Sequence, residues 1–129
     1  MDRCRVLLVD DHVAIRAAVR RLLAHYHGIR IVGEANDGQQ AIELMAFCQA
    51  HVILMDINMP RMNGIEATSV IKRSWKEAVV IGLSALEDPQ HTNAIMKAGA
   101  VAVISKHEIN DLYSTIQQVY LNNPSRFSE

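Results

Sequence analysis

Five short apolar runs recur along this chain, each followed by a segment with helical periodicity, and that alternation limits the folds open to it. The runs are RVLLV (5–9), IRIVGEA (29–35), HVILM (51–55), AVVIGL (78–83) and VAVIS (101–105). Most are apolar at successive positions. A strand has a side-chain period of two, so such a run presents apolar groups to both faces of its sheet. Between the runs, VAIRAAVRRLLAHY (13–26) carries Ile15, Val19, Leu22 and Leu23 on one stripe and arginines on the other, and Gly28 is expected to stop it. Asn36, Asp37 and Gly38 open a helix through 47, with Ala41, Leu44 and Met45 inward. A third helix is expected from Gly64 to Ser74. A fourth starts at Pro89, where the missing N–H costs nothing, and runs to Lys97 before Gly99. Leu112, Ile116 and Val119 mark a last amphipathic helix.

Strands buried on both faces and joined by helices predict an α/β fold: a doubly wound five-stranded parallel sheet with five helices and right-handed crossovers. Strand order is not written in the sequence; the flavodoxin-like order 2-1-3-4-5 is expected. The 129 residues suit a single domain. It is expected over 1–121, with the polar, proline-broken NNPSRFSE (122–129) as a linker stub. A formal net charge of -1 and the lack of a basic run argue against direct nucleic-acid contact by this segment. No apolar stretch reaches the length of a membrane span, and Asp10 and Asp11 cut short the apolar run near the N-terminus, so no signal peptide is read there. Cys4 and Cys48 lack metal-like spacing and read as reduced thiols of a cytoplasmic protein.

In such a sheet, ligands bind beyond the carboxyl ends of the strands, where the strand order reverses. Strand one ends in Asp10 and Asp11, strand three in Asp56, strand four in Ser84, and strand five in Ser105 and Lys106. Strand two ends in Glu34 but lies outside this junction. Singly, each residue has a plain explanation. An Asp after a strand is a turn former or a helix cap; Ser84 is a small turn residue; Lys106 is a solvated charge. His12, beside the acidic pair, reads as a rim residue in preference to a ligand, and Met55, Met59 and Met62 as core fillers. Their shared edge changes the weighing. Three carboxylates packed together repel, and at least one pKa must rise unless a counter-charge arrives. A magnesium ion fits that need, since it takes one or two carboxylates, several waters and a phosphate oxygen. Lys106 then has a phosphoryl group to meet, and a carboxylate can itself accept phosphoryl as an aspartyl phosphate.

With LVDDH at 8–12, LMDINMPRMNG at 54–64, GLSA at 82–85 and ISK at 104–106, in this order, the chain resembles a response-regulator receiver domain, of CheY-like fold, up to roughly residue 121. The DDH opening and IVGEANDG are most similar to receivers of LuxR/NarL-type transcription regulators. The resemblance implies that Asp56 is the phosphate acceptor in two-component signal transduction. It implies that Asp10, Asp11, Asp56 and the backbone carbonyl of Asn58 hold Mg2+, that Lys106 pairs with the phosphoryl group, and that Ser84 is the switch hydroxyl. The implied donor is a phosphohistidine on a sensor histidine kinase. The implied read-out is a movement of Ser84 and of the loop from Leu86 to Pro89 that repacks helix four, strand five and helix five, and through them an output domain or partner protein. A homodimer on phosphorylation is compatible with the apolar stripe of the last helix, which packing on the sheet explains equally well.

Two positions depart from the family pattern. Val103 stands where an aromatic is common, which puts the usual aromatic read-out in doubt. His107 follows Lys106 where proline is common; a cis bond to a non-proline costs about 2.5–4 kcal/mol, so a trans peptide is expected. The chain is read as a switch and not as an enzyme. A stand-alone phosphorelay module is an alternative. An aspartyl-phosphate phosphatase fits less well, because Asn58 occupies the place of its second Asp and cannot act as a general acid. A flavin- or nucleotide-binding module lacks its glycine-rich phosphate loop here.

Overall fold

Successive residues of β3 (Val52–Asp56) enter opposite cores, and every one of them is buried. Ile53 and Met55 join Leu7, Val9, Met45, Ile71, Val80 and Ile95 on one face of the sheet. Val52 and Leu54 join Val6, Leu8, Val19, Leu23, Leu112 and Ile116 on the other. This is the physical content of an uninterrupted apolar run: period-two geometry divides it between two interiors.

The structure, a computed structural model, describes residues 3–85 and 88–122. The remaining strands are β1 (Cys4–Val9), β2 (Ile29–Ala35), β4 (Val79–Ser84) and β5 (Ala102–Ser105). The helices are α1 (Val13–Leu23), α2 (Gly38–Cys48), α3 (Gly64–Ser74), α4 (Pro89–Ala98) and α5 (Leu112–Ile116). All strand pairs are parallel, and the order is β2-β1-β3-β4-β5, as expected. The two cores place α2, α3 and α4 on one face of the sheet and α1 and α5 on the other. Cys4 and Cys48 are free thiols. Among the described residues no helix is long and apolar enough to cross a membrane.

Local chemistry fixes the helix starts. Asp37, Asn63 and Asp88 each cap a helix, accepting from the backbone N–H of Gln40, Glu66 and Gln90. Gly99, at φ +127°, closes α4. The first helix departs from expectation: it ends at Leu23, well before Gly28. Tyr26 N–H donates to Leu23 O, and Ile29 N–H to Tyr26 O, so a turn carries the chain into β2. That turn lays the Tyr26 ring on Tyr113, with centroids 3.6 Å apart. The last helix is also not uniform. A 3-10 segment (Lys106–Asp111) precedes α5 and a π turn (Gln117–Leu121) follows it, with Tyr120 stacked on His51 at 5.2 Å. Of the expected inward residues there, Leu112 and Ile116 are buried and Val119 packs against them. The expected linker stub lies, from residue 123 onward, outside the described residues, as do Leu86 and Glu87 of the expected switch loop.

Candidate functional site

The pairing register sets the carboxyl ends of the central strands side by side. Val9 is level with Met55, Asp56 with Leu83, and Ser84 with Ser105. The residues after β1 and β5 therefore emerge around the tip of β3. Asp10 is fully buried, held by its own N–H donating to Ala35 O at 3.0 Å. Lys106, nearly buried at the start of the 3-10 segment, brings Nζ to 2.7 Å from Asp10 Oδ2 and 3.3 Å from Asp56 Oδ1. Asp56 Oδ1 also accepts from Asn58 N–H at 3.3 Å, whereas its buried Oδ2 has no hydrogen-bond partner. Ligand atoms of Asp10, Asp11, His12 and Asp56 lie within 4.8 Å of one another.

The loop after β3 makes this possible. Gly64 N–H donates to Ile57 O at 2.9 Å, folding the loop back against the strand tip. A Cβ on Gly64 would stand 2.1 Å from the carbonyl oxygen of Asp56, so only glycine fits. Arg61 adopts positive φ in the same loop, and its guanidinium reaches Asp37 Oδ2 at 2.5 Å, tying the loop to the cap of α2. Met59 and Met62 pack against the core beside it, and Met55 is buried within it.

Three carboxylates face one ammonium here, an excess of two negative charges when all are ionised. Burial is the main reason the Asp56 carboxyl is pushed up to about 7; the charge of Asp10 adds to the rise, Lys106 opposes it, and a hydrogen bond with Asp11 raises it further. A hard divalent cation fits this donor set: oxygen ligands in excess of the local positive charge, with a buried oxygen on each of Asp10, Asp11 and Asp56 that accepts no hydrogen bond.

The sequence-predicted residues Asp10, Asp11, Asp56 and Lys106 converge, and Asn58 lies beside them through its backbone. Ser84 is half-buried at the tip of β4, next to β3. The Lys106–His107 peptide is trans, and His107 N–H donates to Ser105 Oγ at 3.1 Å. Val103 packs with Ile95 of α4 over Gly82, whose absent side chain leaves them room. Glu34 stays out of the cluster, as expected, and binds Arg16 Nε at 3.2 Å and Arg20 Nη1 at 2.6 Å.

Two neighbours of the site depart from their sequence reading. Arg16, assigned to the solvent stripe of α1, is mostly buried and donates from Nη1 to the carbonyl of Asp10 at 2.5 Å. His12 is exposed as a rim residue should be, yet its Nδ1 lies 3.0 Å from Asp10 Oδ1 and 3.2 Å from Asp11 Oδ1. The signal for both was present. His12 abuts the acids, and Arg16 falls one helical turn later on the same face.

The chain matches the family described as Response regulator receiver domain over residues 6–117. It is similar to the response regulator UvrY of Escherichia coli (strain K12), 39% identical over 116 residues, covering 89% of this chain and 53% of that protein. GacA of Pseudomonas aeruginosa is 32% identical over 117 residues, covering 90% of this chain and 55% of that protein. The chain thus spans about half the length of the curated relatives it matches. Among solved structures, the response regulator domain of Thermotoga maritima CheB superposes with a TM-score of 0.84 at 30% identity, covering 95% of this chain and 99% of that one. The signal receiver domain of the putative response regulator NarL from Mycobacterium tuberculosis superposes with a TM-score of 0.80 at 29% identity, covering 92% and 99%. Strand order, motif positions and the family match agree: this chain belongs to the response regulator receiver domains of two-component systems.

Proposed function

We propose that Asp56 accepts a phosphoryl group from a phosphohistidine on a sensor histidine kinase, with Mg2+ held by Asp10, Asp11, Asp56 and the backbone carbonyl of Asn58. The observation that carries this reading is the surplus of buried negative charge around Asp56, which a cation is needed to balance. A magnesium ion held by these residues would supply the positive charge that offsets the phosphoryl oxygens. An oxygen of Asp56 attacks phosphorus; the phosphorus–nitrogen bond breaks, and the departing imidazole keeps the bonding pair and takes a proton from solvent. Lys106, already between Asp10 and Asp56, balances the charge that the phosphoryl oxygens bring. Ser84 turns its hydroxyl to donate to one of those oxygens. The phosphoryl group adds about −1.5 to −2 charges, and the α4–β5–α5 surface repacks in response. Val103 fills its place beside α4 with a small side chain, which supports a read-out that needs no aromatic swing.

The chain acts in this reading as a cytoplasmic switch whose only chemistry is its own phosphorylation and dephosphorylation. Its similarity to UvrY and to the transcriptional regulatory protein DegU of Brevibacillus brevis supports an output domain or partner that controls transcription. Asp56→Ala abolishes hydroxylamine-sensitive phosphate incorporation from a small acyl-phosphate donor. Label at the wild-type level would show that another residue is the acceptor.

A further inference from the structure

His12 does more at this site than a rim residue needs to. It occupies the cap position of α1, yet its side chain caps nothing there; no hydrogen bond runs from it to the first turn. Its backbone N–H instead donates to Asp10 Oδ1 at 2.8 Å, and its ring turns Nδ1 toward the carboxylates of Asp10 and Asp11. Two ligands bonded at about 2.1 Å and at right angles on one octahedral ion lie about 3 Å apart. The separations from Nδ1, 3.0 and 3.2 Å, match that spacing. The buried Oδ2 of Asp56, which accepts no hydrogen bond, is a separate indication that the pocket suits a cation. The four residues together offer three carboxylates and one imidazole nitrogen.

Magnesium dehydrates reluctantly and prefers oxygen, so it gains little from an imidazole. First-row transition ions such as Ni2+ bind imidazole well and stand higher in the divalent affinity series. We propose that His12 is a ligand, through Nδ1, for nitrogen-preferring divalent ions in the Asp10–Asp11–Asp56 site, so that the site discriminates among metals. The proposal rests on the metal-binding reading given above and adds a side chain to it. Its consequence is a site that takes Mg2+ through oxygen alone and takes Ni2+, or an ion like it, with the imidazole added.

The test is a calorimetric titration of the full chain with Mg2+ and, separately, with Ni2+, for wild type, His12→Gln and His12→Ala. In both variants the ratio of Ni2+ to Mg2+ affinity falls at least tenfold. Proton spectra of the Ni2+-loaded wild type show a hyperfine-shifted Nε2–H of a ring bound through Nδ1, and both variants lack it. An unchanged ratio with no such proton reduces His12 to a hydrogen-bond donor to Asp10 and overturns the proposal. Tighter binding of both ions in the variants also overturns it, since the ring would then be a competing counter-ion. Binding of Mg2+ without a His12-dependent Ni2+ preference leaves the receiver reading standing while this inference fails. Failure of the wild type to bind either ion removes the metal site, and this proposal with it.

Discussion

A carboxylate titrating near pH 7 is destabilising to its own fold at neutral pH, and Asp56 is such a group. Its carboxyl is raised to about 7 in the folded chain, chiefly by burial, against 3.8 for an unperturbed side chain. The folded state therefore binds this proton more tightly than the unfolded state. The stability linked to it is fully present below pH 3.8, declines as pH rises between the two values, and is lost above pH 7. The full difference is on the order of 4 kcal/mol, an upper bound that local relaxation lowers. Asp56→Asn keeps the shape and removes the charge, so it stabilises the metal-free protein at pH 8 and gains almost nothing at pH 4. Urea unfolding in the presence of a chelator at the two pH values checks this. An equal gain at both would mean that the amide packs better and that ionisation is irrelevant. Mg2+ affinity rises with pH through the same interval, because the ion and the proton compete for Asp56. The acids and Lys106 were legible because each is the first or second polar residue after an apolar run. Arg16 carried a signal in its spacing, one turn after His12, but amphipathic periodicity alone sorts residues by helix face and does not tell solvent from a neighbouring strand tip.

At the scale of elements, the loop between β3 and α3 carries the tightest steric demand. Gly64→Ala drives a methyl group to 2.1 Å from the Asp56 carbonyl oxygen, so the backbone that holds Asp56, the proposed acceptor, must move. Overpacking of this kind costs roughly 3 kcal/mol, and the displaced Asp56 accepts phosphate more slowly. Chemical denaturation and phosphorylation rate are both expected to fall; a loss of rate at unchanged stability would place the constraint on the chemistry alone. The cap of α2 is a milder case. Asp37 caps Gln40 N–H and also binds Arg61, so Asp37→Ala costs about 1 kcal/mol through the cap, visible as a lower melting temperature. Most helix starts were readable from their Asp, Asn or Pro. The end of α1 was not, because Gly28 is a weaker stop than the turn through Tyr26, whose ring is recruited by Tyr113 from the far end of the chain.

For the whole molecule, the proposed cation binding and folding are linked. The site is assembled only when β1, β3 and the segment after β5 lie together, so an ion that binds it does not bind the unfolded chain equally well. Mg2+ at about 100 times its dissociation constant then adds roughly 2.7 kcal/mol of stability. Thermal melting across a magnesium series shows this rise in the wild type, and a much smaller one in a variant carrying Asp11→Asn and Asp56→Asn together. The same rise in both would place the ion elsewhere on the surface.

The sequence by itself determined the layered α/β class, the five strands with their intervening helices, and the acids and lysine at strand ends. Those features follow from side-chain periodicity and turn chemistry, which act over a few neighbouring residues. Only the tertiary structure decided that β1 and β3 are adjacent, and so that Asp10, Asp11 and Asp56 meet. It also decided that Asp56 loses its water, that Arg16 turns inward and that His12 faces the acids. Distances between residues far apart in the chain depend on which strands pair and how the cores fill, and no local pattern records that.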